Sequence, residues 1–98
     1  MTDSDLQQLV EALQEHLAAT ATLPVREDAS RWLGEAEAVA TDLTTAPLPS
    51  ADVTRTRLGH VEHLLEQVDG TDDAEADRHV EAARESLAEA LAALDGQN

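Results

Sequence analysis

Apolar side chains recur along this chain at alternating steps of three and four, the spacing that puts them on one face of an α-helix. Leu6, Leu9, Val10, Leu13 and Leu17 form the first such stripe. Ser4 followed by Gln7 has the spacing of a capping box at its start. Leu23-Pro24 restricts the backbone just beyond Thr20, where this helix should end. Val25, Ala29, Trp32, Ala36, Val39 and Leu43 make a second stripe. Its helix is expected to begin at Thr22 or Leu23, with Pro24 in the first turn and Glu27 and Asp28 complementing the helix dipole. Gly34 lies between seam positions at a cost of about 1 kcal/mol relative to Ala, and Pro47 and Pro49 in the segment Thr44 to Ser50 forbid continuation of the helix.

A third stripe, Leu58, Val61, Leu64, Leu65 and Val68, follows a cap at Ser50 or Asp52 and runs to Gly70. The fourth is Ala76, Val80, Ala83, Leu87, Leu91 and Leu94, with Thr71 or Asp72 as cap, Asp72 and Glu75 at capping-box spacing, and Gly96 as terminator. The pattern predicts helices over about 4–20, 23–44, 51–69 and 72–95 in a single domain of 1–98. Nothing alternates at period two, so no strand is expected. The short connections at 20–23 and 69–72 make antiparallel pairs. The fold expected is an all-α, antiparallel four-helix bundle made of two helical hairpins joined by a proline-containing linker. That linker is long enough to lead to an adjacent or a diagonal neighbour. Sliding the chain by 51 positions sets Val10, Leu13 and Leu17 on Val61, Leu64 and Val68, and the second stripe on Ala76, Val80, Ala83, Leu87, Ala90 and Leu94. Two hairpins of one design are implied, with Trp32 filling space opposite Ala83 or Ala36.

Composition then qualifies this picture. Asp and Glu number 21 against 6 Lys and Arg, a formal charge of −15. All six cations are arginine, the apolar residues are almost wholly Ala, Leu and Val, and Trp32 is the one Phe, Trp or Tyr. High net charge with few aromatics is also the signature of disorder, but the ordered stripes argue for folding. In acid excess, absent lysine and small hydrophobes the chain resembles proteins of salt-loving archaea. The physics agrees: at about 1 M salt the Debye length is roughly 3 Å, and most self-repulsion is screened. Cysteine is absent, which excludes disulfides and thiolate chemistry. No apolar run reaches the roughly 18–20 residues of a membrane span. The opening Met1-Thr-Asp-Ser-Asp lacks the order of a signal peptide, so a cytoplasmic protein is expected.

Candidate chemistry is sparse. His60 and His63, with Glu66 or Glu62 nearby, could offer two imidazoles and a carboxylate to a metal from the third helix. His16 and His79 sit at stripe edges, where a ring packs and leaves a nitrogen wet. Acidic pairs such as Glu35 and Glu37 fall on solvated faces, which do not perturb a carboxylate enough for acid–base work. No phosphate loop or nucleophile elbow is present, no catalytic residue is assigned and no cofactor is expected. Arg57 in the apolar sector of the third helix and Arg84 beside the fourth stripe are expected to pair with carboxylates such as Glu11 or Glu15. Arg55 with Arg57 offers a less favoured anion spot. The lack of a basic face argues against nucleic acid, and the acidic surface argues against anionic lipid.

Leu33 and Ala40 flank the second stripe, and Ala90 and Ala93 widen the fourth. This surplus either completes the core or lines a groove. These four residues are the expected interaction surface of a non-enzymatic interaction or regulatory domain, whose partner is another protein or a second copy of the chain. The alternative is a small metal- or ligand-binding protein that uses His60, His63 and Glu66.

Overall fold

Each apolar stripe is helical in the computed structural model of the protein, which describes residues 3–45 and 47–96. The helices are α1 (Asp3–Thr20), α2 (Glu27–Thr44), α3 (Ala51–Glu66) and α4 (Ala74–Asp95). The Ser4 side chain is not among those described, so the expected Ser4–Gln7 capping box lies outside the described residues. The four helices form an antiparallel bundle in which α1 packs on α2 and α4, and α3 packs on the same two neighbours. The proline linker therefore joins adjacent helices, and the most extensive packing is between the first and the last.

The core is built almost wholly from Leu, Val and Ala. Leu13, Leu17, Leu43, Leu58, Leu65 and Leu94 are its largest fully buried side chains. Three threonines are buried among them, and each hydroxyl has a partner. Thr20 donates to the Leu17 carbonyl at 2.6 Å and Thr54 to the Pro49 carbonyl at 3.3 Å. Thr71 is held by Asp77 at 2.7 Å. Such pairing is what makes a buried hydroxyl tolerable.

Helix ends depart from expectation wherever a contact between distant segments decides them. The second helix starts at Glu27, so Pro24 precedes it rather than occupying its first turn. Arg26 has φ −58° and ψ 149°, and its N–H donates to the Thr71 carbonyl at 2.9 Å. That bond holds the segment before α2 extended against the α3–α4 connection. The third helix ends at Glu66, not near 69, in i→i−3 bonds from Gln67 and Val68 to Leu64 and Leu65. Gly70 does take a left-handed conformation (φ 82°), as does Asp72 (φ 66°). The cap of α4 is accordingly neither Thr71 nor Asp72. Asp73 is the N-cap, accepting from the Ala76 N–H at 2.9 Å. Ser50 caps α3 by accepting from Val53 at 3.3 Å, as one of the two expected caps.

The implied likeness of the two hairpins holds for α1 and α3 but not for α2 and α4. Val10, Leu13, Leu17 and their counterparts Val61, Leu64, Val68 are all buried. In α2, however, Leu33 and Ala40 point inward, while Trp32 and Val39 are half-buried flanks packed against the core. The indole is the largest side chain of the helix, and Leu33 takes the inward position beside it. The indole lies at the margin instead, with the Arg31 guanidinium 5.3 Å from its ring centroid.

Gly34 and Gly59 are both helical, and a Cβ at either position would meet no atom within 4 Å. Replacing either by Ala should therefore stabilise the fold by about 1 kcal/mol, or roughly 4–8 °C in a thermal melt. An unchanged or lower midpoint would show that one of these backbones approaches a neighbour more closely than the structure has it.

Candidate functional site

Of the residues singled out by sequence, His60, His63 and Glu66 lie on α3 and all three are exposed. Among the described residues no group of three or more His, Asp or Glu is gathered as a metal would need. The spacing that suggested a site supplies two imidazoles on one solvated helix, and no second element brings the remaining ligands.

The four residues expected to form an interaction surface all belong to the buried core cluster. Leu33 is 2 % exposed, Ala40 and Ala90 are 0 % and Ala93 is 8 %. The extra apolar width completes the core, because the half-buried Trp32 and Val39 leave Leu33 and Ala40 to fill it. Leu33 lines a small depression with Thr20, Ser30 and Glu37, and Ala93 reaches a larger one. This is a shallow groove of about 590 Å³ between α1 and α4, lined by Leu9, Ala92 and Ala93 with Asp5, Gln8 and Glu89 around them. Leu9 is half-buried against the core, so the groove has an apolar floor and polar sides.

The structure brings together two histidines that no local pattern connects. His16, in the last turns of α1, and His79, in the second turn of α4, place their Nδ1 atoms 3.2 Å apart. Their ring centroids are 5.5 Å apart with the planes tilted by 39°. Both side chains are half-buried. The hint available in the sequence was their position at stripe edges. Their pairing required knowing that α1 and α4 are neighbours and how far one is displaced along the other.

Two arginines have structural duties that differ from the expected ones. Arg84 donates to the Leu65 and Val68 carbonyls at 3.0 and 3.1 Å and to Glu81 at 3.1 Å, rather than pairing with Glu11 or Glu15. Arg55, not Arg57, is the packed arginine of α3. It donates to the Leu94 carbonyl at 3.1 Å and lies 3.4 Å from Asp95. Each guanidinium thus meets carbonyl oxygens at the C-terminal end of the other helix, where a cation is favoured. Arg57 is exposed, and Arg55 is committed, which removes the basis for an anion spot built from the two.

Among the described residues no helix is long and apolar enough to cross a membrane. No curated protein matches the chain. No solved structure matches it either. A family model described as a domain of unknown function, DUF8152, does match residues 9–97, and the chain accordingly belongs to that family.

Proposed function

We propose that this chain is a non-enzymatic interaction domain that receives a protein partner at the α1–α4 groove. The observation that carries the reading is the apolar floor formed by Leu9, Ala92 and Ala93 on an otherwise acidic bundle. A groove between two helices is the shape that accepts the apolar face of an amphipathic helix. With a net charge of −15 and Glu89 at its side, the complementary occupant is a basic amphipathic helix. A second copy is the alternative occupant of the same face, since molar salt screens the repulsion between two surfaces of like charge. We place the domain in a salt-rich cytoplasm, where the apolar floor carries affinity and charge contributes chiefly to selectivity.

The test titrates a short Lys/Leu amphipathic peptide into labelled protein at low and at molar KCl. Amide shifts should centre on Leu9, Ala92 and Ala93 and persist in molar salt. Leu9→Gln, which leaves the charge unaltered, should weaken binding at least tenfold. Shifts scattered over the acidic surface that vanish in salt would mean simple ion attraction and would end the proposal. Light scattering on the same samples identifies the occupant: a dimer abolished by Leu9→Gln would replace the foreign helix with a second copy.

A further inference from the structure

We propose that His16 and His79 form an acid-sensitive latch between α1 and α4, closed by one hydrogen bond from ring to ring and opened when both rings are protonated. A neutral imidazole has one N–H and one bare nitrogen. Two Nδ1 atoms 3.2 Å apart therefore hold a hydrogen bond when one ring carries its proton on Nδ1 and the other on Nε2. One added proton leaves this bond intact, because it goes to the outer Nε2 of the donor ring and the other Nδ1 stays bare. A second added proton ends it. Both Nδ1 atoms then carry hydrogens aimed at each other, and two imidazolium rings stand with their centroids 5.5 Å apart. The rings part by turning out to solvent or by moving α1 away from α4.

The surroundings suit a latch. Both rings are half-buried, as are Ala12 and Ala19, about one turn before and after His16, and Ala82, one turn after His79. The charges nearest the pair are Glu15 on α1, and Arg78 and Glu75 (one turn before His79) on α4, all exposed. At this end of the bundle Arg26 is held by Asp28 at 3.2 Å and lies 4.0 Å from Asp72. The second helix meets α1 through the Gln14–Thr41 bond, and the third meets α4 through Arg84, both on other flanks, so neither turns a charge toward the rings. His60 and His63 are exposed on one helix and take up protons without breaking such a bond. Histidine changes charge between about pH 5 and 8. In acid the unfolded chain takes a proton on both rings and the closed latch on one. The unfolded state then binds more protons, so the latch weakens the fold as pH falls. The rest of the molecule responds in the opposite sense, since proton uptake reduces the charge of −15 and its self-repulsion.

The test compares the wild type with the double variant His16→Gln, His79→Gln in molar KCl, which screens the general charge effect. Denaturant unfolding should show the wild-type folding constant falling relative to that of the variant, by up to about tenfold per pH unit for the one excluded proton, as the pH drops from about 6 to about 5. His60→Gln and His63→Gln should leave this pH dependence unchanged. The ring ¹⁵N spectrum of the wild type at about pH 8 should show one protonated and one bare Nδ1, with a scalar coupling between them across the hydrogen bond. At about pH 5 that coupling should be lost. Should the double variant fail to fold by circular dichroism, the wild-type ring spectrum decides alone. Equal pH dependence in wild type and double variant, or no coupling between the two Nδ1 atoms at about pH 8, would overturn the latch. None of these outcomes bears on the peptide groove, whose readout is at Leu9, Ala92 and Ala93.

Discussion

Leu33→Glu is expected to abolish the folded bundle at every salt concentration, molar KCl included. Leu33 is 2 % exposed and belongs to the central cluster of Leu, Val and Ala. Removing a buried leucine forfeits about 1.5–3 kcal/mol of apolar burial. An ionised carboxylate in its place adds a desolvation cost of several kcal/mol, and Glu37, which lines the same small depression, adds repulsion between like charges. Against a total stability of about 5–15 kcal/mol for natural domains, and less for a small core without aromatic rings, the sum suffices to unfold the chain. Salt does not rescue it, because screening weakens repulsion between surface charges and leaves the desolvation of a buried one untouched. Far-UV circular dichroism across a KCl series reads the result. Leu33→Met, which conserves volume, should remain helical with a loss below about 1.5 kcal/mol. A Leu33→Glu chain that stays helical and loses only an association would put Leu33 on an interface and contradict its place in the core.

Thr71→Val should cost about 2 kcal/mol although it changes neither volume nor charge. Thr71 is fully buried at the junction of both hairpin connections. Its hydroxyl donates to the Asp77 carboxylate at 2.7 Å and accepts the Asp73 N–H at 3.2 Å. Its own N–H donates to Asp77 at 3.0 Å, and its carbonyl accepts the Arg26 N–H at 2.9 Å. Valine keeps the two backbone bonds and deletes the hydroxyl, leaving the Asp73 N–H without that acceptor. Hydrogen bonds to a charged group contribute about 1.5–3 kcal/mol. Denaturant midpoints measure the loss, and Thr71→Ser should restore most of it. A Thr71→Val protein within about 0.5 kcal/mol of wild type would show that water replaces the hydroxyl without cost.

Four helices, their approximate extents and their antiparallel pairing were legible because the stripes repeat over many turns, and long periodic signals survive local irregularities. The ends were less so. The start of α2 depends on a bond from Arg26 to Thr71, residues that no sequence window holds together. The phase of α2 was read from a six-membered seam that included Trp32 and Val39. Leu33 and Ala40 continue the face of Ala29, Ala36 and Leu43 at the same three-and-four spacing as Trp32 and Val39, so periodicity alone leaves the two phases open, and the larger side chain takes the half-exposed position. That choice of phase moved Leu33 and Ala40 from core to surface. As for the candidate sites, His60 and His63 drew notice because their spacing is local, yet local spacing on one helix gave them no further ligand. His16 and His79 meet only through the packing of α1 on α4, and no linear motif encodes that. The Leu9 groove was missed for a related reason: Leu9 was read as core, and its partial burial follows from how α4 lies beside it.

The crossed arginines of the second hairpin have a consequence for alignment. A seam of Leu and Ala repeating every three or four residues is nearly self-similar, so α3 could slide along α4 by one turn, about 5.4 Å, and still bury leucine against alanine. Such a slip would carry Arg84 away from the Leu65 and Val68 carbonyls and Arg55 away from Leu94 and Asp95 in the same movement. The two guanidiniums therefore act as a vernier on the hairpin, setting a single axial register that its hydrophobic teeth alone leave ambiguous. Because these are short hydrogen bonds to carbonyl oxygens, the gauge keeps its setting in brine that would dissolve a longer-range attraction between charges.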